Sequence, residues 1–185
     1  DKYDLVTAKK KDSTGICFIG ERNFRKFLSN YLPNQKGKII NIETNEELGE
    51  HIGLMYYTIG QRKGLDIGGT KEKLFVVGKN LEKNILYVAE GENNPYLYSD
   101  SCIIEEVNFN CNLRPTTCTA KFRYRQADQP VTLEYLNDHT IRVHYDHVKS
   151  VTPGQACVLY QDDKCIGGGI IKEVCKDGHK LWYLL

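Results

Sequence analysis

The chain has 185 residues, enough for one large domain or two small ones. Apolar residues make up 41% and charged residues 26%, which excludes a disordered chain. The net charge of +1 excludes a globally basic nucleic-acid binder, so any such contact must come from local patches.

No apolar run approaches the roughly 18 residues of a membrane span, and no signal-peptide pattern opens the sequence. The expectation is a cytoplasmic protein with no membrane partner. Seven cysteines form no CxxC pair, so a structural zinc site is disfavoured and reduced thiols are expected. The only methionine is Met55, so the sequence does not open on an initiator residue. That predicts a piece of a longer protein.

Residues 1–11 are polar and basic, and end in Lys9, Lys10 and Lys11. Cys17 follows in a short apolar run, Ile16 to Ile19, between Gly15 and Gly20. Neighbouring positive charge lowers a thiol pKa and favours a nucleophile, and glycines allow a mobile loop. An equally simple reading is a small buried hydrophobe. Phe24, Phe27, Leu28 and Tyr31 then fall at i, i+3, i+4 and i+7, one apolar stripe of a helix that Pro33 ends.

From residue 36 the period changes to that of strands. Residues 38–42, 53–59, 74–77 and 85–89 read as strands, with a turn-rich stretch over 43–51 and a hairpin around 79–84. Arg62 and Lys63 lie between glycines in a basic loop tip, a candidate phosphate contact or an ordinary surface turn. The turn cluster at 91–95 marks a domain boundary. Beyond it strands are expected over 102–109, 118–124, 131–136, 141–145, 156–160, 165–171 and 181–184, spaced as in an antiparallel barrel.

If 121–126 is one strand, Lys121, Arg123 and Arg125 share a face, about 7 Å apart. Such a row matches successive phosphates of a nucleic acid, or simply a solvated barrel face. Tyr124 on the other face could stack on a base. His144 and His147 have no metal-site spacing, and Gly167, Gly168 and Gly169 lack the helix of a dinucleotide fingerprint. The glycines are expected to allow close strand packing or a bulge.

Five stretches together resemble the bacterial-type tRNA-specific 2-thiouridylases. They are DSTGICFIGERNFRKFL, GEHIGLMYYTIGQRKGLDIGGTK, NILYVAEG, KFRYRQ, and SVTPGQACVLY followed by CIGGGII. The resemblance implies an ATP- and Mg²⁺-dependent transferase that replaces the C2 oxygen of the wobble uridine of tRNA with sulfur. It implies Cys17 as persulfide carrier, acting with a second cysteine in an N-terminal ATP-pyrophosphatase domain that this sequence lacks. Arg123, Tyr124 and Gln155 fall on tRNA-contacting positions, with Lys121, Arg125, Arg62 and Lys63 as further candidates. A sulfur-donating protein, a cysteine desulfurase or sulfur-relay protein, is the implied partner besides tRNA.

The expected fold is mainly β. Residues 1–22 are a remnant of the catalytic domain with the cysteine loop. Residues 23–95 are a small β (SH3-like barrel) domain with one N-terminal helix. Residues 96–185 are an antiparallel β-barrel similar to translation-factor barrels. The alternative is a stand-alone RNA-binding β-barrel module without catalytic activity.

Overall fold

A computed structural model describes residues 31, 35–112, 114–124 and 126–184. Cys17, Arg125 and the predicted helix apart from Tyr31 lie outside the described residues. The chain divides into two units, Asp1–Asn34 and Gln35–Leu185, and every described residue except Tyr31 belongs to the second.

The protein is mainly β. The first sheet has four strands, β1 (Gly37–Asn41), β2 (Glu47–His51), β3 (Leu74–Asn80) and β4 (Ile85–Glu90), in the order β2-β1-β4-β3. β1 and β4 run parallel and the other neighbours antiparallel. The apolar run Leu74 to Val77 is buried throughout, as a strand covered on both faces must be. The β3–β4 hairpin turns where the Asn80 side chain accepts the Lys83 N–H and Asn84 takes a left-handed φ of 53°.

Seven further strands follow: β5 (Tyr98–Phe109), β6 (Thr117–Lys121), β7 (Gln129–Asn137), β8 (Thr140–Lys149), β9 (Ala156–Gln161), β10 (Lys164–Lys176) and β11 (His179–Lys180). Their order is β11-β10-β5-β8-β7-β6-β9, and β10 also pairs with β9. Six antiparallel strands therefore close into a barrel, which removes free edges. Its interior is filled from alternate positions, among them Cys102, Ile104, Phe122, Val143, Leu159 and Ile171.

The three glycines of β10 make the closure possible. A Cβ on Gly167 would strike the Asn108 carbonyl, one on Gly168 the Cys157 carbonyl, and one on Gly169 the Glu105 carbonyl at 2.6 Å. The register shifts between Cys165 and Gly167 against β9 and between Gly168 and Ile170 against β5, so the run combines close packing with bulges.

Four expected elements differ, one of them the stretch 181–184, which is a turn ending in a lone bridge at Leu184 and not a strand. Residues 53–59 form no strand. Leu54–Tyr56 is a short 3-10 turn, entered through Gly53 at φ 147°, whose amides bond locally from Tyr56 to Gly53 and from Tyr57 to Leu54. The turn-rich stretch instead contains β2, an edge strand with one buried side chain, His51. Finally, β6 stops at Lys121, because the Phe122 N–H donates to the Gln126 side-chain oxygen at 3.0 Å. Such local side-chain bonds compete with a ladder.

The chain's last described residues strap the sheet to the barrel. After β11, the Tyr183 carbonyl accepts the Lys79 N–H at 2.8 Å, and Leu184 bridges Lys79 in parallel. Trp182 meets Tyr87 of β4 edge-on, with ring centroids 5.4 Å apart. No helix among the described residues is long and apolar enough to cross a membrane.

Candidate nucleic-acid interface

Lys121 and Arg123 do not share a strand face, because Arg123 sits in the turn after β6. Its Nη2 donates to the Ile59 carbonyl at 2.9 Å and the Ser150 carbonyl at 2.8 Å, and reaches Thr152 Oγ1 at 3.4 Å. The Thr152 hydroxyl itself donates to the Ser150 carbonyl. Arg123 thus clamps the loop after β2 to the segment between β8 and β9. Burial pushes its pKa down from the ordinary guanidinium value, and a guanidinium stays charged in proteins.

The other predicted residues are dispersed around this clamp. Lys121, at the end of β6, pairs with Asp128 at 3.4 Å and lies 5.4 Å from the centre of the Tyr160 ring. Tyr124 is 75% exposed. Arg62 and Lys63 are exposed in the 57–73 loop, held from within by Gln61, whose oxygen accepts the Thr58 N–H and whose nitrogen donates to the Lys63 carbonyl. Arg62 borders a broad depression of about 850 Å³ that carries Lys71 and Lys73 but also Asp66, Glu72 and Glu92. Mixed charge of that kind does not favour a polyanion as one-signed surface does.

Gln155 ends a tight turn. Its amide donates to the Thr152 carbonyl at 3.3 Å, with Pro153 and Gly154 (φ 81°) at the two central positions, the residues that a type II turn demands. The turn is fastened to β10 by paired bonds, from the Gly154 N–H to the Ile171 carbonyl and from the Ile171 N–H to the Gln155 carbonyl. Gln155 thereby stands at the rim of a cavity of about 290 Å³, together with Met55, Thr58, Ile59, Lys79, Thr152 and Pro153. Two of these, Ile59 and Thr152, are the residues that Arg123 bridges.

Lys79 and Met55 were not legible as site residues. Lys79 reads as part of a hairpin turn, whereas β3 continues through it to Asn80. Its side chain is pushed down in pKa by burial. The only sequence signal is a lysine at the end of an apolar strand.

Among the described residues no group of three or more His, Cys, Asp or Glu could hold a metal ion. The cavity beside Gly68 and Gly69 has no helix N-terminus to receive phosphates.

Comparison with known proteins is consistent with both β units. Residues 25–90 match the family model described as a tRNA methyl transferase PRC-barrel domain. Residues 99–171 match an aminomethyltransferase beta-barrel domain. Proteins named tRNA-specific 2-thiouridylase MnmA align along nearly the whole chain. The one from Bacillus velezensis is 56% identical over 98% of this chain and 50% of its own length. Those from Mycoplasmopsis synoviae and Staphylococcus carnosus are 50% and 54% identical, over 99% and 100% of this chain and 50% of theirs. The chain spans about half the length of the curated relatives it matches. It belongs to the tRNA-specific 2-thiouridylase family.

Proposed function

We propose that this chain is part of a cytoplasmic enzyme that 2-thiolates the wobble uridine of tRNA, with residues 1–22 supplying the cysteine loop, 23–95 a small β domain and 96–185 the barrel. The observation that carries the reading is identity of 50% or more, along nearly the whole chain, to proteins named tRNA-specific 2-thiouridylase. ATP with Mg²⁺ would supply activation of the uridine C2 oxygen, at residues other than the described ones.

In this reading Cys17 carries sulfur as a persulfide, loaded by a cysteine desulfurase or sulfur-relay protein. Its terminal sulfur would bond to C2 of the uridine while the C2–O bond breaks and the oxygen leaves on AMP, the leaving group that ATP would supply there. A second cysteine thiolate, in a part of the protein outside this chain, then attacks the Cys17 sulfur. The S–S bond to the transferred atom breaks, sulfur stays on the base, and the two cysteines are left as a disulfide. The barrel and small sheet contribute the tRNA surface, with Arg123, Tyr124 and Gln155 in it and Lys121, Arg125, Arg62 and Lys63 at its margin.

The test is thiolation of tRNA by the full protein, read by mass spectrometry of the nucleosides. Cys17→Ser is expected to abolish 2-thiouridine while leaving tRNA binding within about twofold. An undiminished rate in that variant would remove Cys17 from the mechanism.

A further inference from the structure

The cavity of about 290 Å³ beneath Gln155 has the properties of a receptor for one unstacked ring. It lies just below the roughly 300 Å³ at which small-ligand clefts begin, so it suits a single base and not a whole nucleotide cofactor. Its walls come from four separate places: the loop after β2 (Met55, Thr58, Ile59), β3 (Lys79), the turn before β9 (Pro153, Gln155) and Leu184, the chain's last described residue. They are fixed before any ligand arrives. Arg123 bonds Ile59 to the segment bearing Thr152, and the Lys79 backbone is bonded to Tyr183.

Two polar side chains in this cavity are unspent. Among the described residues no carboxylate pairs with Lys79, although it is half-buried in β3. The Gln155 amide likewise makes no side-chain hydrogen bond there. A partly desolvated cation without an acceptor is a standing deficit that an oxygen-bearing ligand can fill. Gln155 offers both a donor and an acceptor, the pair needed to read the edge of a base. Met55, 41% exposed at the rim, offers a polarisable sulfur to an aromatic face.

We propose that this cavity receives one everted nucleobase of the tRNA, with Lys79 donating to a ring carbonyl oxygen and Gln155 bonding the remaining edge. This deepens the reading of tRNA as substrate and rests on it. Lys79 has only donors, so the base must present an acceptor to it: guanine, uracil and cytosine offer a carbonyl oxygen, whereas adenine offers only ring nitrogens. Unpaired loop nucleotides are those that a protein can splay out in this way.

The experiment uses the full protein and tRNA transcripts that carry one abasic site at each unpaired position in turn, with affinity read by fluorescence anisotropy. Lys79→Met is expected to weaken binding of intact tRNA about tenfold. One abasic site should cause a similar loss, and the two together should cost no more than either alone. Met55→Trp, which fills the cavity from its rim and leaves Lys79 in place, should reproduce the loss. Affinity unchanged in Lys79→Met, or a loss that adds to that of every abasic site, would overturn the proposal. If the loss comes with a salt slope lowered by about one, Lys79 contacts a phosphate and the base reading fails. Failure of unmodified protein to bind any tRNA would instead remove the substrate reading itself.

Discussion

Arg123 Nη2 lies 2.9 Å from the Ile59 carbonyl, across the junction of the small sheet and the barrel. A guanidinium placed by resemblance on a tRNA-contacting position is therefore also a structural tie. Arg123→Met leaves the Ile59 and Ser150 carbonyls short of a charged donor, a loss of about 1–3 kcal/mol. Urea denaturation of the chain should show it as a lowered midpoint. Arg123→Lys should recover only part, because the shorter lysine stem must bring its ammonium to the position of Nη2, from which both carbonyls are bonded.

His51 predicts a pH dependence. It is fully buried; its Nε2 lies 3.1 Å from the Asn84 carbonyl, and its Nδ1 accepts the Gly53 N–H at 3.1 Å. Accepting at Nδ1 and donating at Nε2 requires the neutral ring. Burial lowers its pKa, the Asn84 carbonyl opposes this, and the charge of Lys79 adds to the lowering. With the folded value below the unfolded value of about 6.5, the contribution is complete above that pH and is lost as pH falls through the folded value. Urea midpoints measured from about pH 7.5 to about pH 5 should fall, and His51→Gln should flatten that decline.

Closure of the barrel depends on Gly168. An added methyl meets the Cys157 carbonyl and approaches Val158 Cα to 3.2 Å, both backbone atoms that cannot move aside. Gly168→Ala should destabilise by about 1–3 kcal/mol. Gly154→Ala has open space around its Cβ, and its cost should come only from the left-handed φ of 81°. Thermal melts of the two variants separate packing from backbone strain.

The described cysteines should differ in reactivity. Burial pushes Cys118 up to about 11 and Cys157 up to about 12, and raises Cys102 well above the ordinary thiol range. Cys165 is exposed. Because the thiolate is the reactive form, iodoacetamide at about pH 8 should label Cys165 first and reach Cys102 and Cys157 only with unfolding. Peptide mass spectrometry over a time course checks the order.

Most of the barrel was legible because its strands alternate faces between turn residues that fix φ. Asp138 and His139 separate β7 from β8, and Asp162, at φ 52°, separates β9 from β10. Legibility failed where side chains, and not the ladder, satisfied the backbone. Leu54, Tyr56, Tyr57 and Ile59 are buried as strand residues would be, yet they belong to turns. Gln126 diverted the chain after Lys121 by one hydrogen bond. The cavity was out of reach for another reason: Met55 and Lys79 carry no local signature, and they meet Gln155 only through tertiary packing.

The strap of residues 182–184 has a consequence for the order of folding. β3 is an outer strand of its sheet, and its far side is completed at Lys79 by Tyr183 and Leu184. Those partners emerge during synthesis only after the whole barrel. Until then the Lys79 edge stays open to pairing with any other strand, and such distant contacts form slowly because the intervening loop must close first. Loss of residues 182–184 should therefore convert a folding delay into self-association, with little change in the barrel.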